Sequence, residues 1–121
     1  MRVDTRPRKR NAPRPAEKSA PGFLQWLCGR KCLCVHTGLC SGRSQAAHVD
    51  YAGGKGMGTK VADRWAVPLC AFHHAIQHRE GWAAFDAKYL DGLNGGLAAA
   101  NQFWRVWPGR IAWERKLNDV G

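Results

Sequence analysis

Histidines are the residues of this sequence whose spacing most clearly suggests chemistry. Three of the five lie within six residues, as His73, His74 and His78. On a helix, His74 and His78 project from the same face because they are four residues apart, and two imidazoles one turn apart can grip a divalent metal ion. Incidental histidines on an exposed helix are the alternative, but their density directly after Cys70 favours metal ligation. His48 stands alone, and a lone histidine is more often structural than catalytic; its place before a loop and a second strand that returns to the His74/His78 helix favours a role in the site.

The cysteines form a second group, with the chemistry of a structural zinc site. Four of the five cysteines fall within thirteen residues, which disfavours the alternative that they are merely small buried hydrophobic residues. Zinc prefers four soft or borderline ligands in a tetrahedron, commonly as two close pairs from different parts of a chain. Cys70 and His73 form one pair, and Cys32 with Cys40 is the favoured second pair. Two other cysteines compete for the first ligand position: Cys34 and Cys28.

Two strands and a helix are the elements that must bring these residues together. Strands are predicted over 45–49 and 65–69, joined by a glycine-rich loop over 51–64, and a helix is predicted over 70–81. Apolar periodicity predicts further helical segments, over 82–90, 97–106 and 111–117. Residues 22–27 are expected to form a short apolar turn or helix.

The chain divides into three parts by composition. Residues 1–21 hold four prolines and many charges without hydrophobic periodicity, so they are expected to form a disordered basic arm. Residues 22–92 contain all candidate ligands and are expected to form the core domain, followed by a helical extension over 93–121. Six tryptophans are many for this length; Trp26, Trp65 and Trp82 are expected in the core. Helix packing is favoured over base stacking for three others: Trp104, Trp107 and Trp113.

The charge balance indicates a polyanionic partner. The formal net charge is +10, with seven Lys/Arg against two Asp/Glu in residues 1–21 and twelve against seven in the remainder. Neutralising phosphates releases counterions and drives binding to nucleic acid; an anionic membrane surface is the competing partner. No run of about 18 apolar residues could span a bilayer. The charged N-terminus lacks a signal segment and the cysteine count is odd, so we expect a reducing, cytoplasmic location.

These motifs, taken in order, resemble those of HNH (ββα-metal) endonucleases. The shared order is a cysteine pair, Ala-His on a strand, a glycine-rich loop with Asp, and then Pro-Leu-Cys-x-x-His-His-x-x-x-His. The sequence is similar in particular to the small prophage-encoded group related to the RecA-dependent nuclease, over roughly residues 24–86. The most specific stretch is AAHVDYAGGKGMGTKVADRWAVPLCAFHHAIQH. The resemblance implies an α+β fold with a ββα-metal core and a zinc knuckle, flanked by helices.

The resemblance also implies roles for individual residues. His48 would be the general base, His74 and His78 would hold one catalytic divalent ion such as Mg²⁺ or Mn²⁺, and Asp63 would take the place of the central asparagine that orients the base. The structural zinc would be held by the knuckle residues: Cys32, Cys40, Cys70 and His73.

One position departs from the pattern of many HNH proteins. Ala47 stands where they have a metal-ligating Asp or His, although the prophage group shares the Ala-His pair. Water, Asp50 or Asp63 would then complete the metal shell.

Basic residues beside the candidate site could contact phosphates, with a solvated charged surface as the alternative for each: Lys55, Lys60, Arg64 and Arg79. The function expected from the sequence is therefore metal-dependent hydrolysis of DNA phosphodiester bonds in a bacterial or phage-infected cell, with DNA as the partner and a recombination protein as a further candidate partner. Two alternatives stay open, a non-catalytic zinc-stabilised DNA-binding protein and a redox or structural zinc protein that acts through protein partners. The first would bind DNA without cutting it, and the second would show no DNA affinity.

Overall fold

A computed structural model describes residues 15–52 and 61–120 of the chain. Within them the fold is α+β, as the sequence predicts, with five α-helices and one two-stranded sheet. The elements, in chain order, are α1 (Pro21–Cys28), β1 (Ser44–His48), β2 (Ala66–Cys70), α2 (Ala71–Glu80), α3 (Trp82–Tyr89), α4 (Gly95–Val106) and α5 (Arg110–Val120). Short 3-10 turns occupy Ala16–Lys18, Val35–Thr37 and Asp63–Trp65.

The two strands form an antiparallel hairpin that leads directly into α2. The register pairs Ser44 with Cys70 and His48 with Ala66. Every residue of β2 is buried, whereas β1 buries only Ala47, so β2 carries apolar side chains on both faces. Because β2 ends where α2 begins, the hairpin and the start of the helix are held in one unit.

Local signals set both ends of α2. Cys70 is the N-cap residue, and its sulfur accepts a hydrogen bond from the backbone N–H of His73. The helix stops at Gly81, whose φ of 86° is accessible to glycine at little cost. These boundaries place His74 and His78 one turn apart on α2.

Two apolar clusters flank the hairpin. One gathers Val67, Leu69 and Phe85 with the buried cysteines between the sheet, α2 and α3. The other joins α1 to α4 through Phe23, Leu27 and Trp104, with the rings of Phe23 and Trp104 in an edge contact at 5.0 Å. The C-terminal helices therefore pack onto the same body as the hairpin.

The tryptophans divide less cleanly than the sequence suggests. Trp82 and Trp104 are buried, which agrees with a core role for the first and with helix packing for the second. The other four are partly buried at the edges of the two clusters: Trp26, Trp65, Trp107 and Trp113.

Residues 15–21, assigned above to the disordered arm, are ordered in the structure. Ala16–Lys18 form a 3-10 turn and Pro21 begins α1. Ala20 is 1% exposed, and its N–H donates to the Asp63 carboxylate at 2.8 Å. The indole of Trp113 donates to the Ser19 carbonyl at 2.8 Å. The folded part thus begins earlier than composition predicts, because contacts with residues far along the chain order this segment.

Residues 1–14 of the predicted arm and residues 53–60 of the glycine-rich loop lie outside the described part of the chain. Across 15–52 and 61–120, no helix combines the length and apolarity needed to cross a bilayer.

Candidate functional site

Four side chains meet at the junction of β2 and α2 and could hold a metal ion such as zinc. The ligand atoms of Cys32, Cys40, Cys70 and His73 all lie within 4.8 Å of one another, which confirms the grouping predicted from the sequence. The Nδ1 atom of His73 is 3.8, 3.7 and 3.2 Å from the sulfurs of Cys32, Cys40 and Cys70. Around a tetrahedral zinc, bond lengths of 2.0–2.3 Å imply sulfur–nitrogen separations of about 3.6 Å. The donor set fits that ion in both chemistry and spacing.

Crowding of the sulfurs perturbs their protonation. Burial, together with hydrogen bonding to Cys32 and Cys70, raises the pKa of Cys40 to about 12. Several sulfurs at this spacing cannot all ionise without a compensating positive charge, which a divalent cation would supply.

Cys34 lies beside this cluster as a hydrogen-bond partner of one of its sulfurs. Its backbone N–H is 3.3 Å from the Cys32 sulfur. The Cys34 thiol also donates to Cys32 and is the largest cause of the lowered pKa of Cys32, about 4, while the same contact raises the pKa of Cys34. Cys28 is a half-buried free cysteine outside the cluster. The structure thus selects Cys32 among the three candidates.

Thr37 fixes the ring of His73, a role that the sequence did not suggest. The Thr37 hydroxyl donates to the Cys34 carbonyl at 2.8 Å, so its oxygen is left to accept from Nε2 of His73 at 3.4 Å. A proton on Nε2 leaves the Nδ1 lone pair facing the three sulfurs. Outer partners of this kind orient metal-binding histidines.

His48 is paired with a buried carboxylate. Its Nε2 is 2.9 Å from Oδ1 of Asp63. Asp63 is 4% exposed, and its Oδ2 accepts from the N–H of Ala20. An ionised carboxylate only accepts hydrogen bonds, so Nε2 carries the proton and Nδ1 keeps a lone pair. About a third of the His48 side chain is exposed, at 31%. The ring is oriented from inside the protein and remains accessible from outside.

His74 and His78 form the pair expected from their spacing on α2. Their Nε2 atoms are 3.1 Å apart. Two nitrogens bound to one ion at 2.0–2.1 Å are separated by about 2.9–3.4 Å, for octahedral to tetrahedral angles. Nδ1 of His74 donates to Oε1 of Gln45 at 2.7 Å, so its Nε2 has the free lone pair. Gln45 on β1 is thus an outer partner that no sequence signal pointed to.

The three imidazoles at 48, 74 and 78 are neighbours without forming one tight cluster. Burial, followed by the charges of His78 and His48, lowers the pKa of His74, so both other rings are near enough to act on it. Within the described residues, however, the knuckle is the only set of three or more such side chains with ligand atoms inside 4.8 Å. His48 therefore stands beside the His74–His78 pair and is not part of it.

The lowered pKa of His74 gives a testable pH dependence. After removal of exchangeable metal, we expect the His74 ring to titrate below the ordinary value of about 6.5, and so to stay neutral at pH 7. The unfolded chain then binds more protons than the folded one. Stability linked to His74 is complete above pH 6.5, the ordinary value that applies to the unfolded chain. It is lost as the pH falls from 6.5 through the lower pKa of His74 in the folded protein.

An NMR titration of the imidazole C–H signals measures this pKa. Replacing His78 with alanine should raise the pKa of His74 only in part, because burial is the larger cause. A value at or above 6.5 in the unmodified protein would contradict the assignment of a desolvated ring.

The structure places the predicted phosphate-contacting residues in different environments. The guanidinium of Arg64 stacks on Trp65 and Trp104, at 4.2 and 5.5 Å from the ring centres, and it donates to Asn101 at 2.9 Å. Arg64 thus has a packing role that the sequence did not predict. Arg79 is exposed next to His78 and pairs with Glu80 at 3.2 Å. Two others lie outside the described residues: Lys55 and Lys60.

Comparison with protein families places the chain in one of them. A family model described as "Protein of unknown function (DUF968)" matches residues 1–97. The match spans the hairpin, α2, α3 and every candidate ligand. No curated protein and no solved structure matches the chain significantly.

Proposed function

This chain belongs to the family of unknown function DUF968, and we propose that it is an HNH-type endonuclease that hydrolyses DNA phosphodiester bonds with the help of a divalent metal ion. The observation that carries the proposal is a single oriented imidazole on β1 beside a pair of imidazoles on the adjoining helix α2. One is His48, oriented by a buried carboxylate; the other is the His74–His78 pair, with Nε2 atoms spaced as ligands of one ion. The net charge of +10 suits a DNA substrate.

In this proposal His48 is the general base. Asp63 holds the proton on Nε2, and the Nδ1 lone pair takes a proton from the attacking water. An imidazole has an ordinary pKa near neutrality and can perform this transfer at physiological pH. As the proton arrives, the buried Asp63 carboxylate stabilises the resulting imidazolium. Asp63 is thereby a positioning residue whose two oxygens are engaged by His48 and Ala20, which disfavours it as a metal ligand.

His74 and His78 hold the divalent ion, with Gln45 orienting the first ring. When bound, the ion would supply positive charge that offsets the charge developing on the phosphate oxygens. Ala47 is fully buried and provides no ligand, so solvent or the phosphate itself would complete the shell. Exposed Arg79, next along α2, is placed to contact a flanking phosphate.

The Cys32–Cys40–Cys70–His73 cluster would hold a structural zinc ion. Its ligands are closed around one point, and no ligand position is left for substrate, as is usual in structural sites. The zinc would tie the loop before β1 to the start of α2, reinforcing a hairpin that has only two strands.

Cleavage of supercoiled plasmid tests the proposal. Wild-type protein should nick it with Mg²⁺ or Mn²⁺ and not without added metal. Loss of an outer partner alone lowers metal affinity about 10–100-fold, so replacing His78 with alanine should raise the metal concentration for half-maximal nicking at least that much. His36, exposed on the 3-10 turn at Val35–Thr37, provides the matched control, and H36A should nick like wild type.

The same assay separates the competing function. A zinc-stabilised protein that binds DNA without cutting it is favoured by one observation, the absence of a ligand side chain at Ala47. If the wild-type protein shifts DNA in a salt-sensitive manner but nicks under none of the divalent ions, that function replaces the nuclease.

A further inference from the structure

A cavity of about 620 Å³ opens beside the candidate base, between the end of β1 and helix α3. Its lining includes two residues that follow β1, two from α3 and two from the turn before α4: Asp50, Tyr51, Trp82, Asp86, Leu93 and Asn94. The volume lies in the range of small-molecule sites, about 300–1,000 Å³, and the walls are mainly apolar and aromatic. In the proposed hydrolysis solvent or the phosphate completes the metal shell in place of Asp50, the alternative that the sequence offered, so none of these lining residues takes part.

The cavity is tied directly to His48. The indole N–H of Trp82 donates to the His48 carbonyl at 3.0 Å. Asp50 follows His48 by two residues, a span of at most about 7 Å. Stacked nucleotides of one strand are separated by about 3.4 Å. A base one or two nucleotides from a phosphate at His48 can therefore reach this cavity.

Buried hydrogen bonds preform the walls. Asp86 is 3% exposed; its Oδ1 accepts from the N–H of Gly96 at 2.9 Å and its Oδ2 from the Tyr51 hydroxyl at 2.5 Å. The pKa of Tyr51 is raised to about 12, first by burial and then by Asp86, so the hydroxyl stays a donor. At Gly96, an added Cβ would lie 3.0 Å from both Asp86 and Trp82. Glycine lets helix α4 approach this closely without displacing either side chain by a few tenths of an ångström.

The charges of the cavity disfavour phosphate and favour a base. Two carboxylates, those of Asp50 and Asp86, line it, and among residues 15–52 and 61–120 no Lys or Arg does, in a chain whose net charge is +10. Both oxygens of Asp86 are engaged. The exposed Asp50 carboxylate makes no hydrogen bond or ion pair with residues 15–52 and 61–120, so it can accept donors from a ligand. Tyr51, 38% exposed, offers an aromatic surface on which a base can stack.

From this combination we infer that the cavity binds an unstacked nucleobase next to the scissile phosphate, with Asp50 accepting hydrogen bonds from its Watson–Crick edge. The inference rests on the proposed function, since it identifies the preferred DNA of that same site. Guanine should bind best because its N1–H and N2–H are adjacent donors that match the two oxygens of a carboxylate. Thymine should bind worst because two carbonyls flank its single donor and would face the carboxylate. The enzyme would accordingly prefer DNA with an unpaired guanine near the cut.

Equilibrium binding to five-nucleotide DNA tests this assignment without any cleavage. The probes are single-stranded TTGTT and TTTTT carrying a fluorophore, measured by anisotropy with the full chain and no added Mg²⁺ or Mn²⁺. A bidentate side-chain contact discriminates between bases by about 5- to 150-fold, so TTGTT should bind tighter by a factor in that range. Asp50→Asn should bring the ratio close to one.

The control is Asp91→Asn. Asp91 is exposed on the turn after α3 and does not line the cavity, and its φ of 65° is one that asparagine adopts readily. The Asp91→Asn substitution removes the same charge as Asp50→Asn but outside the cavity, so D91N should keep the wild-type ratio of TTGTT to TTTTT affinity. Equal binding of both probes by the wild type, or an unchanged ratio in D50N, overturns the inference. If the wild-type protein then still nicked plasmid, the proposed nuclease function would be retained although the base-binding inference had failed. If the wild type bound neither probe, this inference would be overturned and the result would count against a DNA substrate.

Discussion

Replacing His48 with alanine is expected to lower the rate of plasmid nicking by about 10²–10⁴-fold, the usual contribution of a general base. The variant removes the only group in the proposed mechanism that takes a proton from water. It leaves the His74–His78 pair and the four-residue knuckle unchanged. DNA affinity and tightly bound zinc should therefore stay at wild-type levels, and gel shift and elemental analysis measure both.

Asp63 provides a graded comparison for the same experiment. Asp63→Asn keeps the size of the side chain, and its amide oxygen can still accept from His48 Nε2, but it removes the negative charge that stabilises the imidazolium, so nicking should fall although less than in H48A. H36A again serves as the histidine-to-alanine control. Nicking by H48A within a few-fold of wild type would remove His48 from the mechanism, whatever the behaviour of Asp63→Asn.

The hairpin and α2 could be predicted from sequence because their signals are local. Predicted strands over 45–49 and 65–69 correspond to Ser44–His48 and Ala66–Cys70, and the helix over 70–81 to Ala71–Glu80. The helix is bounded by residues with a direct conformational effect, Cys70 at the N-cap and Gly81 at the C-terminal end. Spacing alone likewise placed His74 and His78 on one helical face.

Partners distant in sequence could not be predicted in the same way. Ala20 contacts Asp63 across 43 residues, and Gln45 contacts His74 across 29; no spacing rule links such pairs. The charge of Arg64 similarly suggests a phosphate contact or a solvated surface, whereas its stacking on Trp104 depends on how α4 packs. Composition also suggests disorder for residues 15–21. It carries no information about a contact such as the hydrogen bond from the Ala20 N–H to the buried Asp63 carboxylate, which orders this segment.

The choice among Cys28, Cys32 and Cys34 shows where spacing reaches its limit. Either of the last two could reach a shared ion with Cys40 from a short loop. In the structure the 3-10 turn at Val35–Thr37 folds the loop so that the Cys32 sulfur faces His73, while Cys34 is fully buried and its thiol donates to the Cys32 sulfur. Packing of this loop against β2, where the N–H of Leu33 donates to the Pro68 carbonyl, brings Cys32 to the four-residue cluster that could hold a metal ion.

Replacing Cys70 with serine should abolish tight zinc binding and remove most of the stability of the fold. Serine is nearly the same size and is a preferred N-cap residue, so the start of α2 keeps its cap and the variant isolates the loss of a ligand. Structural zinc contributes about 10–16 kcal/mol of apparent binding free energy in zinc-finger peptides, whereas whole domains are stable by only about 5–15 kcal/mol. We therefore expect a decrease of several kcal/mol in the free energy of unfolding.

Denaturant unfolding followed by circular dichroism measures this loss, and elemental analysis measures zinc per chain. The matched control is Cys28→Ser, because Cys28 is a half-buried cysteine outside the cluster; C28S should retain zinc and unfold near the wild-type midpoint. Chelation of the wild-type protein should reproduce the behaviour of C70S, since both remove the same cross-link between the loop before β1 and α2. If C70S kept its zinc and its unfolding midpoint, the four-residue cluster would be a group of packed thiols and not a metal site, and the hairpin would have to be held by its apolar contacts alone.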